Sequence, residues 1–243
     1  MRAITLRAIC LSAALSVPIA LAQDENMRRS YIELADRAYK MQQATQTFPG
    51  RRMTASDNPL PLPSAGLPSD FDIQYEWEGE LYGINEFNER THSNALLILK
   101  NGKVVTEIYR NGSEPETLFI SWSTAKSFTS TMVGLAIEDG YIESVEDDLT
   151  DYLPSLIGSA YEGVSIKHAL QMASGVGWDE SSYDFDDLSK PLAYQWENSI
   201  IRQRYRFIEG ANRLIKETEP GLQFNYSTME SSILGWLVEN ASA

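Results

Sequence analysis

Along the chain the apolar positions change their spacing several times, and each change marks an element. After Arg2 and Arg7, residues Ala8 to Ala22 form an apolar run ending in Ala20-Leu21-Ala22. A basic start, an apolar stretch and a small-x-small ending describe a cleavable secretion leader over residues 1–22. At about 15 residues the run falls short of the roughly 20 a membrane-spanning helix needs. Tyr31, Ile32, Leu34, Ala35, Ala38 and Tyr39 then recur at helical spacing, which predicts an amphipathic helix over 27–45. Residues 49–70 hold five prolines and read as an irregular arm, so 23–70 forms an N-terminal helix and arm ahead of a main domain over 71–243.

Within that domain Ala95–Leu99 and Val104–Tyr109 are short apolar and alternating runs around Lys100-Asn101-Gly102-Lys103. Asn-Gly supplies the two positive-φ positions of a type I′ turn, so 95–109 is a β-hairpin. Its first strand is apolar almost throughout, the pattern of a strand covered on both faces. From Ser123 to Gly140 the spacing is helical, and Phe128, Met132, Val133, Leu135, Ala136 and Ile137 leave so little polar surface that the helix is expected to be buried. Gly140 would close it. Further helices are expected over 165–173, capped near Ser165 and stopped by Ser174-Gly175, over 199–217, and from Thr228 to Asn240. Residues 178–187, with Asp179, Glu180, Asp184, Asp186 and Asp187, read as a solvated acidic loop.

Composition narrows the chemistry. A net charge of −14 argues against nucleic acid, whose phosphates need clustered Lys and Arg. Cys10, the only cysteine, lies in the leader, which leaves the mature chain without disulfide or thiolate chemistry. His92 and His168 are the only histidines and lack the spacing of a metal site; no Gly-x-Ser-x-Gly elbow is present. What remains is Ser123-Thr-Ala-Lys126, the one Ser-x-x-Lys in the chain, at the start of its most apolar helix. Residues i and i+3 share a helix face, so the Lys126 amine can reach the Ser123 hydroxyl. A serine needs a neighbouring base to become a nucleophile, and a lysine held away from water gives up its own proton more readily and can take one. The positive helix end and its unpaired N–H groups, the Ser123 amide among them, suit an oxyanion.

The stretch Phe119-Ile-Ser-Trp-Ser-Thr-Ala-Lys-Ser-Phe-Thr-Ser130, followed by Gly134-Leu-Ala-Ile-Glu-Asp-Gly140, resembles the active-site helix of the serine β-lactamase-related hydrolases. This group includes class C β-lactamases, penicillin-binding proteins, related esterases and 6-aminohexanoate-dimer hydrolases. The resemblance continues through Asp147-Asp-Leu-Thr-Asp-Tyr-Leu-Pro154, Val164-Ser-Ile-Lys-His-Ala-Leu-Gln-Met-Ala-Ser-Gly-Val176 and Phe224-Asn-Tyr-Ser-Thr-Met-Glu-Ser-Ser-Ile-Leu-Gly-Trp236, and its wording is nearest the 6-aminohexanoate-dimer hydrolases. It implies an α+β, β-lactamase/transpeptidase-like fold, with a helical part over 121–243 against an antiparallel sheet that begins with the 95–109 hairpin. It also implies Ser123 as nucleophile, with Lys126 and Tyr226 moving protons and no metal or organic cofactor. Tyr226-Ser227-Thr228 stands where the family has Tyr-x-Asn, so Thr228 becomes a substrate contact in place of an amide, and Trp178 would line the pocket.

The implied substrate is a small amide, ester or lactam, and the leader implies a periplasmic address with cleavage near Ala22 and no stable membrane insertion. The family's third motif, Lys-Thr-Gly or His-x-Gly, does not occur, so the sheet is expected to lack its C-terminal strands and the chain to be a C-terminally truncated relative. The alternative is an inactive homologue that binds a cell-wall peptide or partner chain.

Overall fold

The computed structural model describes residues 25–31, 36–51, 53–54, 56–67, 73–181 and 183–243. The leader over 1–22, with Cys10, and residues 32–35 of the first expected helix lie outside them. The chain divides into two units, Met1–Ile120 and Ser121–Ala243.

In the first unit the expected helix over 27–45 is not continuous. Asp36 has φ 55°, a left-handed value that interrupts a helix, and only single turns follow at Arg37–Lys40 and Ala44–Thr47. A hairpin that alternation did not reveal joins β1 (Gln74–Trp77) to β2 (Glu80–Gly83). It leads into α1 (Ile84–Arg90), where the Glu86 carboxylate accepts from the Gly83 N–H at 3.0 Å and satisfies that donor at the helix start. The expected hairpin is β3 (Ala95–Lys100) with β4 (Lys103–Tyr109), turning at Asn101 (φ 52°) and Gly102 (φ 72°) as a type I′ turn requires. The proline-rich arm lies along β4. The Val104 N–H donates to the Pro63 carbonyl (2.9 Å), and the Ala65 N–H donates to the Val104 carbonyl (2.8 Å). One face of β3 is less covered than its apolar sequence suggests, since Leu97 and Leu99 stay exposed while Leu96 and Ile98 are half-buried.

The second unit is helical. Its longest elements are α2 (Thr124–Glu138) and α4 (Thr228–Ala241), with the short α3 (Ile166–Leu170) between them in sequence. The core is Val133 and Ala136 of α2, Met229, Ile233, Leu234 and Leu237 of α4, Ile166 and Ala169 of α3, and Leu149, Leu153, Leu156 and Tyr161 from the connection. Against expectation α2 buries only one face. Phe128, Met132 and Leu135 are 69%, 49% and 51% exposed, because in this unit α2 packs on α4 through the Val133–Ala136 side alone. Gly140 closes α2 at φ 79°, as expected.

Ser165 caps α3, its hydroxyl accepting from the His168 N–H (3.2 Å), and Met172 at φ 55° ends the segment. The polar helix expected over 199–217 is absent. In its place a turn of α-helix at Pro191–Gln195 runs into a π-helical turn at Trp196–Ile201, and a 3₁₀ segment follows at Phe207–Arg213. Gln203 at φ 51° separates the two, and no apolar stripe spans the break to hold one axis.

One extended segment positions the site. Residues 172–178 run antiparallel to 215–225, joined by Gly177 N–H to Ile215 O (2.9 Å), Glu217 N–H to Gly175 O (2.8 Å), Gly221 N–H to Ala173 O (2.7 Å) and Asn225 N–H to Met172 O (2.7 Å). Gly175 is required there. It has φ 76°, and a Cβ on it would stand 2.2 Å from the Thr218 carbonyl oxygen.

Candidate active site

Ser123 is the N-cap residue of α2, with helical φ −69° and ψ −8°, so its hydroxyl sits at the open, electropositive helix end. The preceding Trp122 has φ 44°, a left-handed conformation that is strained for a bulky residue, and the chain turns sharply into the helix there. One helical turn on, Lys126 is half-buried and its Nζ donates to Ser123 Oγ at 3.2 Å. The same Nζ lies 5.1 Å from the ring centroid of Tyr226, which stands two residues before α4. The structure therefore brings Ser123, Lys126 and Tyr226 together from two helix N-termini. Aromatic rings continue the site outward: Trp122 stacks on Trp196 (6.4 Å, 23°), and Trp196 meets Phe185 at 5.1 Å.

Trp178 and Thr228, expected as substrate contacts, are joined through Glu180. Trp178 is buried, lies edge-on to Phe207 and donates its indole N–H to Glu180 Oε2 at 2.6 Å. Thr228 donates its backbone N–H to Glu180 Oε2 and its hydroxyl to Glu180 Oε1, each at 2.5 Å. Both residues thus converge on Glu180 and commit their polar hydrogens to it. Glu180 is buried at 7% exposure, unlike the rest of the acidic loop expected to be solvated. The sequence holds one hint of this: Trp178 and Glu180 are two residues apart in an extended segment, hence on the same side.

A second buried carboxyl lies in the first turn of α4. Glu230 is 1% exposed, its backbone N–H donates to the capping hydroxyl of Ser227 (3.3 Å), and its Oε1 accepts from the Ser174 hydroxyl. Burial pushes its pKa up to about 7, with the Ser174 hydrogen bond pulling the other way. Ser174, expected only as part of a helix stop, is its partner. Nearby, Tyr161 is raised well above its ordinary value by burial and then by the Glu230 charge. Tyr183 is raised by burial first, then by Glu180 and Tyr226. Among the described residues no His, Cys, Asp and Glu group could hold a metal ion, and no helix is long and apolar enough to cross a membrane.

A serine on a helix N-cap, a lysine one turn on and a tyrosine ring beside that lysine set a hydroxyl next to a group able to take its proton, an arrangement that suits nucleophilic catalysis. The sequence pattern of the β-lactamase family matches residues 84–243, and the chain belongs to that family. It is 28% identical over 162 residues to the 6-aminohexanoate-dimer hydrolase of Paenarthrobacter ureafaciens, covering 63% of this chain and 39% of that one. Protein flp of Staphylococcus aureus strain N315 is 26% identical over 159 residues, covering 61% of this chain and 30% of the relative. A Bacillus anthracis structure, described as that of a candidate 6-aminohexanoate-dimer hydrolase, superposes with a TM-score of 0.74 at 18% identity, over 87% of this chain and 56% of that one. The fold is the β-lactamase/transpeptidase-like one. The chain spans 39% of the length of the first relative and 30% of the second.

Proposed function

We propose that this protein is a serine hydrolase that opens amide, ester or lactam carbonyls through an acyl-enzyme. The observation that carries the reading is the 3.2 Å hydrogen bond from Lys126 Nζ to Ser123 Oγ, with the Tyr226 ring 5.1 Å from the same nitrogen. In the reaction Ser123 Oγ bonds to the carbonyl carbon and passes its proton to Lys126 Nζ. Tyr226 relays a proton to the leaving nitrogen or oxygen as the C–N or C–O bond breaks. Water then attacks the Ser123 ester, releases the acid and returns the proton to Oγ. The N–H groups of Thr124, Ala125 and Lys126 bond the carbonyls of Ser121, Trp122 and Ser123, so the Ser123 N–H is the donor for the negative oxygen that develops in both steps. The similarity to a relative named for hydrolysis of the 6-aminohexanoate dimer supports an amide among the substrates.

A fluorophosphonate or penicillin probe tests the reading on the full chain. Peptide mass mapping should find one adduct, on Ser123, and Ser123→Ala should abolish it; a folded chain with no adduct refutes the mechanism. The apolar run ending at Ala22 supports a periplasmic site of action. A mature N-terminus at Gln23 in the periplasmic fraction is the expected result, and retention of Met1–Ala22 in the cytoplasm would contradict it.

A further inference from the structure

Glu180 is a buried carboxylate in a loop whose other acidic residues face water. Those neighbours serve local turns: Asp179 accepts from the Ser181 N–H and hydroxyl, and Asp187 does the same for Ser189. Removing a carboxylate from water is costly unless strong donors replace the solvent. Glu180 has three: the Trp178 indole N–H, the Thr228 backbone N–H and the Thr228 hydroxyl. Two of them belong to the first residue of α4, where backbone N–H groups lack intrahelical acceptors and the helix dipole favours negative charge. Glu180 therefore acts as a distant cap on α4, beside the local cap that Ser227 provides.

The other end of the same short segment is also fastened to the 172–180 stretch. The Asn225 side-chain amide donates to the Trp178 carbonyl (2.9 Å), its backbone N–H donates to Met172 O (2.7 Å), and the Ser227 N–H points at Met172 Sδ (3.4 Å). Tyr226 lies between these anchors with no such bond of its own to the 172–180 stretch among those described. Its ring is placed by what holds its neighbours.

We propose that Glu180 is the positioning residue for Tyr226: by binding Trp178 Nε1 and both donors of Thr228, it fixes the entry to α4 and thereby the place of the phenol beside Lys126. This role rests on the acyl-transfer reading above. It also accounts for Thr228 in place of an amide side chain, since the hydroxyl is turned to Glu180.

The test is a four-protein cycle on the full chain: wild type, Glu180→Gln, Tyr226→Phe and the double variant, each read as the rate of Ser123 acylation by an unactivated ester. Glu180→Gln keeps the size and one acceptor but turns an amide N–H₂ towards donors. The expected result is that Tyr226→Phe slows acylation, that Glu180→Gln slows it by about tenfold to a hundredfold, and that Glu180→Gln costs less than about twofold once Tyr226 is already Phe. Equal slowing in both backgrounds would mark a merely structural residue and overturn the proposal, as would no slowing at all. Tyr226→Phe as fast as wild type would also overturn it, because Glu180 would then have nothing to position.

A wild type that is never acylated sinks the hydrolase reading and this role with it; an acylated wild type with an unaffected Glu180→Gln sinks the role alone. Should Glu180→Gln fail to fold, Thr228→Val and Thr228→Ser carry the same question. The valine is expected to be about threefold to tenfold slower than the serine, and equal rates refute the clamp.

Discussion

At the scale of single residues the site combines groups with opposite demands. Ser123 is exposed at a helix end, whereas Glu180 and Glu230, which support the facing helix, are buried. Glu230 has a consequence for stability. Its pKa rises from 4.5 to about 7 on folding because burial disfavours the charge. Below about pH 4.5 both states hold the proton and the group is neutral in its effect. Between 4.5 and 7 the unfolded chain ionises while the folded chain does not, so stability falls through that window, by about 3 kcal/mol in total. Glu230→Gln removes this titration. Urea unfolding at pH 5 and pH 8 should show the variant gaining about 2–3 kcal/mol on wild type between the two. A pH-independent difference would mean that Glu230 titrates alike in both states.

At the scale of elements, spacing is a good guide where one period runs unbroken, and it misleads over 27–45 and 199–217, where the chain breaks at Asp36 and Gln203. The Asn101-Gly102 hairpin and the helices over α2 and α4 follow from turn chemistry and period, because each is a local property of a long enough run. The closeness of Ser123 and Lys126 is legible for the same reason, since they share a helix face, whereas Tyr226 is reached only through the ordered segments of the resemblance. The support beneath these residues is not legible. Glu180 meets Thr228 across 48 residues, and Ser174 meets Glu230 across 56, so neither contact leaves a local mark.

Burial of α2 was overestimated because an apolar composition says how much surface wants cover, not which face receives it within one unit. The segment 172–178 shows a similar limit, since Ser174-Gly175 reads as a helix stop yet Gly175 serves a close backbone approach. Gly175→Ala combines φ 76° with a Cβ 2.2 Å from the Thr218 carbonyl oxygen. It should cost about 2–4 kcal/mol and unfold at clearly lower urea. An unchanged midpoint would show that the 215–225 segment yields without loss.

At the scale of the whole molecule, charge is the property most directly legible in sequence, since it needs no contacts to be assigned. The chain carries −14, and Asp179, Asp184, Asp186 and Asp187 are exposed in the loop that runs from Trp178 towards the Phe185 and Trp196 rings. A field of that sign raises the local concentration of cations and lowers that of anions over distances set by the Debye length, about 30 Å at 0.01 M salt and about 3 Å at 1 M. Loop charges within that range act on encounter, whereas the Lys126 to Ser123 bond acts on the chemical step, and salt separates the two. For a matched pair of fluorophosphonates differing only in a remote ammonium or carboxylate group, the cationic reagent should phosphonylate Ser123, with loss of fluoride, about tenfold faster at 0.01 M salt. The ratio should shrink towards one at 1 M, while the rate of a neutral reagent stays nearly constant. A preference for the cation that survives 1 M salt would instead point to a short-range contact with one carboxylate. Equal rates for both reagents at low salt would show that the acidic surface does not reach the nucleophile.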